Sequence, residues 1–286
     1  TSLGGRLVLA VLCWVDASDP SLPFFNPETE GLLDTRIFLS LSQDAGLSWS
    51  RPWQVDSGPF TEPTPTTGPV LILRGGEWAV QFETNKPYYD ASVGRHSSVL
   101  MFSRDRGKTW PQHVKVTCDP QARYFYWDQR PTVLRDGTVL DVFWTFDRVR
   151  AEYLNIHARA SADNGRTWSA LWDVGIPGQP GAPVQLPDGR VAMPYMDRTT
   201  VPILKMRTST DAGRSWPEHT QVVLDDSMSR AQEGRKSSMQ DAWAEMAKYS
   251  VGLPCTALLP DGEVLVLYYA GRHMDHTAIQ WVRVKA

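Results

Sequence analysis

Apolar residues along this chain fall in short runs divided by clusters of Gly, Pro, Asp and Ser, the pattern of strands joined by tight turns. Residues 7–15 form the longest apolar run, far short of the roughly 20 residues that span a bilayer, and they lack the basic start and cleavage site of a signal peptide. The run reads as a buried strand. Thr1 opens in mid-pattern, so the expected location is secreted or periplasmic if a leader has been removed, and cytoplasmic otherwise.

One polar pattern recurs four times: Ser42, Asp44, Gly46, Ser48 and Trp49; Ser103, Asp105, Gly107, Thr109 and Trp110; Ser161, Asp163, Gly165, Thr167 and Trp168; Ser209, Asp211, Gly213, Ser215 and Trp216. The aspartates stand 61, 58 and 48 positions apart, the period of a repeated supersecondary unit. Ser and Asp side chains can bond the backbone N–H groups of a turn, Gly takes a positive φ, and Trp is expected to pack into the core as the next strand begins. A second pattern interleaves with the first, starting at Pro69, Pro131, Pro183 and Pro254 and closing on Gly76, Gly137, Gly189 and Gly262, each followed by an apolar run. One whole unit then predicts strands over 131–134, 138–146, 154–160 and 167–174, with a hairpin turn at Asp136 and Gly137. Four antiparallel strands in about 50 residues make a propeller blade.

The four boxes resemble the Asp-box repeats of the sialidase superfamily and cover most of the chain. The resemblance implies an all-β fold, a six-bladed β-propeller in sialidases, of which five blade units are visible here in a single domain over 1–286. Residues 226–249 break the repeat. Ser238 can cap and Ala242 to Lys248 favour helix, so a short helical insertion is expected there.

Composition narrows the function. The 29 basic and 32 acidic side chains leave a net charge of -3, with no excess of cations to neutralise a nucleic-acid backbone. The 21 Gly and 21 Pro disfavour a helical protein, while 42% hydrophobic residues suffice for a core. Cys13, Cys118 and Cys255 show no metal or redox spacing and read as buried thiols in strands. Gly107, Lys108 and Thr109 echo a phosphate loop, but Phe102 stands where the upstream Gly is required. His273 and His276 lack a third ligand, so neither metal nor cofactor is expected.

Strand order sorts the loops. If hairpin turns and Asp boxes share one end of each blade, the other end gathers Glu62, Trp127, Asp128, Gln129, Arg130, Gln179 and Tyr249 from before first strands. It also gathers Asp16, Glu83, Lys86, Asp147, Arg148, Asp197, Arg198, Arg272 and His273 from after second strands. Arginines to hold a carboxylate, acids for proton transfer and aromatics to stack on sugar point to a glycan site on that end, whereas the Asp boxes are structural. Catalytic candidates are Asp34, Asp128, Asp197 and Tyr249; substrate-binding candidates are Arg130, Arg198, Arg272, Trp127, Asp16, Asp147 and Arg148. The long acidic loop from Asp16 to Asp34 offers the acid/base, and Tyr249-Ser250 resembles the Tyr-Ser that carries the sialidase nucleophile, four residues further from its hairpin than in the family, with Leu253 at the aligned place. The family's Arg-Ile-Pro motif is not found in the chain. The resemblance therefore implies an exo-acting glycoside hydrolase of a terminal, acidic sugar. Two alternatives stand beside it, a non-catalytic glycan- or protein-binding propeller and an enzyme of other sugar-acid chemistry such as a lyase.

Overall fold

A computed structural model describes residues 1–199, 201–226, 238–246, 249–271 and 274–285. The chain divides into two compact units, Thr1–Gln129 with Asn164–Thr167, and Arg130–Asp163 with Trp168–Ala286.

The first unit holds two antiparallel sheets. β1 (Val8–Val15), β2 (Thr35–Ser42) and β3 (Trp53–Gln54) pair in that order. β4 (Leu71–Ile72), β5 (Trp78–Thr84), β6 (Ser97–Ser103) and β7 (Gln112–Cys118) form the second sheet, and β8 (Tyr124–Trp127) follows. β5 and β6 are buried along their whole length, with Gln81, Glu83, Ser97 and Ser98 among the buried residues beside their apolar ones. Leu9, Ile37, Leu39, Val80, Phe82, Val99 and Met101 pack into one core with Trp78 and Trp110. Each such side chain contributes about 1.5–3 kcal/mol by leaving water.

The second unit holds three sheets. β9 (Thr132–Val133), β10 (Val139–Asp147), β11 (Glu152–Tyr153), β12 (Asn155–Ser161) and β13 (Trp172–Pro177) form one, with β10 central. β14 (Gln179–Pro180), β15 (Val184–Gln185), β16 (Val191–Asp197), β17 (Ile203–Ser209) and β18 (Val222–Asp225) form the next. Helix α1 (Met239–Met246) follows, then β19 (Val251–Leu258), β20 (Val264–Gly271) and β21 (Thr277–Val284). One core joins Leu140, Val142, Ile156, Val191, Met193 and Trp216; another joins Met196, Leu204, Met206, Val264, Val266 and Tyr268.

The hairpin-and-box plan is realised. In the first box Asp44 Oδ1 accepts from the Ser42 hydroxyl at 2.8 Å and from the Ser48 N–H at 2.8 Å, while Gly46 N donates to Ser42 Oγ at 2.8 Å. The Ser48 and Thr109 hydroxyls lead the hydrogen bonds that hold Asp44 and Asp105 down to about 2. Gly46, at φ +92°, is preceded by Ala45, also left-handed at φ 66°, and the same pair recurs at Arg106–Gly107 and Ala212–Gly213. Two successive left-handed residues turn the chain sharply enough for one carboxylate to bridge four positions.

Several expectations are corrected. The described residues form five sheets, as many as the blade units read from the sequence and one fewer than the six blades that the resemblance implies. Residues 7–15 are not a buried strand: β1 pairs with β2 alone, Leu9 and Val11 face the core, and Leu12 and Trp14 on the other face are 41% and 45% exposed. Cys13 and Cys255 are exposed and Cys118 is half-buried, so the thiols lie in strands but not in the core. The fourth strand of the 131–177 unit begins at Trp172, because the turn continues through Ser169, whose N–H donates to Ala160 O at 2.9 Å. Trp110 and Trp216 enter cores, whereas Trp49 closes over Gly46 through an Nε1 bond to its carbonyl and stays 44% exposed. Within the 226–249 insertion α1 is a helix, with Ser238 Oγ accepting from Asp241 N at 3.1 Å as its cap; residues 227–237 and 247–248 lie outside the described residues. No helix among the described residues is long and apolar enough to cross a membrane.

Candidate functional site

In the second unit the chain leaves β16 at Asp197 and places Arg198 in the interior, 3% exposed. Its Nη2 donates to Val251 O at 2.7 Å and to Gln179 Oε1 at 3.2 Å. The guanidinium carbon stands 3.7 Å from the centroid of the Tyr249 ring, which is 8% exposed, a stacked cation–π contact. A Cβ on Gly252 would stand 2.6 Å from Arg198 Nη2 and 3.0 Å from the Tyr269 hydroxyl, so the strand start is cut back where the two groups meet. Arg198 Nε and Nη1 are buried with no hydrogen-bond partner among the described residues. A buried N–H of a charged group left in that state costs about 1–3 kcal/mol or more. Donors of this kind, fixed in place by a carbonyl, an amide and an aromatic face, match a carboxylate.

Three aspartates of the same unit, Asp197, Asp147 and Asp225, are bonded within it. Burial pushes the Asp197 carboxyl up, but Lys205 Nζ at 2.7 Å, the Thr199 N–H and the Thr199 hydroxyl outweigh it and hold the group below the ordinary aspartate range. Lys205 faces Tyr195 across the strand pair and reaches Asp197 diagonally. Asp147, buried at the end of β10, caps the following turn by accepting from Val149 N at 2.9 Å and Arg150 N at 3.2 Å. Arg148 is half-buried and Arg130 is buried, its backbone N–H bonded to Val142 O. Tyr268 donates to Asp225 Oδ2 at 2.6 Å and its hydroxyl is pushed well up by burial and by that carboxylate. Arg272 and His273 lie outside the described residues.

In the first unit, Asp16 at the end of β1 and Asp34 just before β2 are joined through the Asp16 N–H and the Asp34 carbonyl at 2.8 Å. Asp34 pairs with Arg36 at 2.9 Å. Both aspartates line a cavity of about 430 Å³ with Tyr88 and Tyr89, and a second cavity of about 660 Å³ is lined by Glu62, Lys86, Asp90 and Arg95. Trp127 is buried beside His96 and Phe125, an arrangement that packs its ring into the unit. Asp128 follows it half-buried in the left-handed region at φ 49°. Gln129 N donates to Glu83 Oε1 at 3.0 Å, and both residues are buried. Among the described residues no group of three or more His, Cys, Asp or Glu is placed to hold a metal ion.

The structure thus brings Arg198, Tyr249 and Gln179 together, and Asp16 with Asp34. Sequence reasoning missed Gly252 and Tyr269. Their available signal was the strand alternation that puts Tyr269 opposite Gly252 in the β19–β20 pair.

The family model described as the BNR repeat-like domain matches residues 15–221. A sialidase from Micromonospora viridifaciens is 27% identical over 199 residues, 61% of this chain and 30% of that protein. This chain therefore spans under a third of that relative. Among solved structures, a protein of unknown function from Dyadobacter fermentans is similar at TM-score 0.68 and 20% identity, over 98% of this chain and 73% of that one. The intramolecular trans-sialidase from Ruminococcus gnavus, solved with oseltamivir carboxylate, is similar at TM-score 0.56 and 16% identity, over 88% of this chain and 50% of that one. Likeness at such identities is likeness of fold, the all-β blades of a β-propeller. The chain belongs to the BNR repeat-like domain family, among the Asp-box β-propellers of the sialidase superfamily.

Proposed function

We propose that this protein is a sialidase-like exo-acting glycoside hydrolase whose substrate carries a terminal acidic sugar. The observation that carries the reading is Arg198: a buried guanidinium, anchored on one side by Val251 and Gln179 and stacked on Tyr249, with the donors on Nε and Nη1 left for an acceptor outside the protein. A sugar carboxylate would take those bonds and recover the cost of their burial. The similarity to a trans-sialidase solved with a carboxylate inhibitor supports the same reading. Hydrolysis breaks the glycosidic C–O bond, adds a water oxygen to the anomeric carbon and returns a proton to the leaving oxygen. Tyr249, beside the cation, is the candidate nucleophile. Asp197, next to Arg198 in the chain, has its carboxylate engaged by Lys205 and Thr199.

That occupation, with the capping role of Asp147, favours a second reading, a pocket that binds the acidic sugar without turnover. A panel of aryl glycosides that includes sialic and uronic acids separates the two. Turnover of an acidic member that Tyr249→Phe and Arg198→Ala both abolish supports the hydrolase; saturable binding of the same sugars with no turnover supports the second reading.

A further inference from the structure

The cavity in the first unit has a construction of its own. Its loop, residues 16–34, is knitted to residues 86–89: Leu32 N donates to Lys86 O at 3.0 Å, Leu32 bridges Pro87, and Asn26 Nδ2 and Thr29 Oγ1 both donate to Tyr88 O, at 2.9 and 2.5 Å. A Cβ on Gly31 would stand 2.2 Å from Pro87 O, so the two loops touch backbone to backbone. These contacts hold Tyr88 buried, and Tyr88 in turn supports Tyr89 edge-on, with ring centroids 5.0 Å apart at 81°. Tyr89 is 75% exposed at the cavity wall. An aromatic ring braced in this way and left in solvent is a stacking platform.

Opposite chemistry lines the rest. Asp16 Oδ1 accepts from Ser18 N, Asp19 Oδ1 from Ser21 N and hydroxyl, and Asp34 Oδ1 from Arg36, so each carboxylate keeps its second oxygen as an acceptor. Carboxylates accept and do not donate, and together they repel an anion. We propose that this cavity binds a neutral pyranose, its C–H face on Tyr89 and its hydroxyls donating to Asp16, Asp19 and Asp34. The volume of about 430 Å³ lies in the range of small-ligand sites. The site goes beyond the acidic-sugar reading.

Saturation-transfer NMR on the whole chain, with methyl β-D-galactopyranoside, methyl β-D-glucopyranoside and methyl β-D-glucuronide as probes, tests it. At least one neutral glycoside is expected to bind, whether or not the glucuronide does; Tyr89→Ala weakens that binding about fivefold or more, and Tyr89→Phe retains it. Binding is read on the neutral glycosides, so failure of the acidic-sugar reading does not mask success here. Absence of binding by both neutral probes, or indifference of that binding to Tyr89→Ala, overturns the proposal.

Discussion

Gly252 and Arg198 interlock: the guanidinium Nη2 lies 2.6 Å from the point where a Cβ on residue 252 would stand. The guanidinium is the far end of a flexible side chain, but it is buried and bonded to Val251 and Gln179, so it cannot swing aside without breaking those bonds. Gly252→Ala is therefore expected to displace Arg198 and to weaken binding of an acidic sugar about tenfold, the loss of one charge-assisted hydrogen bond. Titration calorimetry on a variant with unchanged thermal melting checks it; unchanged affinity would detach Gly252 from the site.

Asp197 and Lys205 test how the anchor is supported. Lys205→Met leaves the buried carboxylate with Thr199 alone, and a loss of about 1–3 kcal/mol in urea unfolding is expected, less than for a fully buried pair because both groups keep some solvent. A change within about 0.5 kcal/mol would mean the pair contributes no more than a surface one.

The boxes make a separate prediction. Ser209 is fully buried and its hydroxyl accepts from Gly213 N at 2.9 Å while donating to Asp211 at 2.7 Å. Ser209→Ala orphans the buried Gly213 N–H and is expected to cost about 1–3 kcal/mol. The solvent-exposed Ser48→Ala in the first box should cost less. Equal effects at the two positions would contradict the role of burial.

Acid unfolding follows from the same aspartates. Asp44 and Asp105 are held at about 2, and Asp197 and Asp211 are also lowered. A depressed folded value stabilises the protein above the unfolded value of about 3.9, and the contribution disappears as pH falls through the folded values. The urea midpoint should lose these contributions between about pH 4 and 2 and show none of that loss between pH 5 and 7. A decline already under way at pH 6 would assign acid sensitivity to other groups.

What could be read from the residues depended on distance along the chain. The Asp boxes close within four positions, so Ser42, Asp44 and Ser48 announce their bonds in order; even there, the left-handed Ala45 carries no signal, because nothing in an alanine requires that conformation. Hairpins and strands were legible for the same local reason. The burial of β1 was not, since Leu12 and Trp14 are apolar whether or not another sheet covers them. Arg198 could be named from its place after a second strand, but its partners Gln179 and Val251 lie 19 and 53 positions away and only the fold brings them together. Asp197 could be named from the same place, but its pairing with Lys205, one strand over, could not.

The central claim is that Arg198 holds a sugar carboxylate. Calorimetric titration of N-acetylneuraminic acid and of D-glucuronic acid, each beside its methyl ester, into the wild type, Arg198→Lys and Arg198→Ala measures it directly. One free acid should bind at least about tenfold more tightly than its ester, with Arg198→Lys weaker and Arg198→Ala without measurable binding. Esters binding as tightly as the acids, or Arg198→Ala binding like the wild type, would contradict the account.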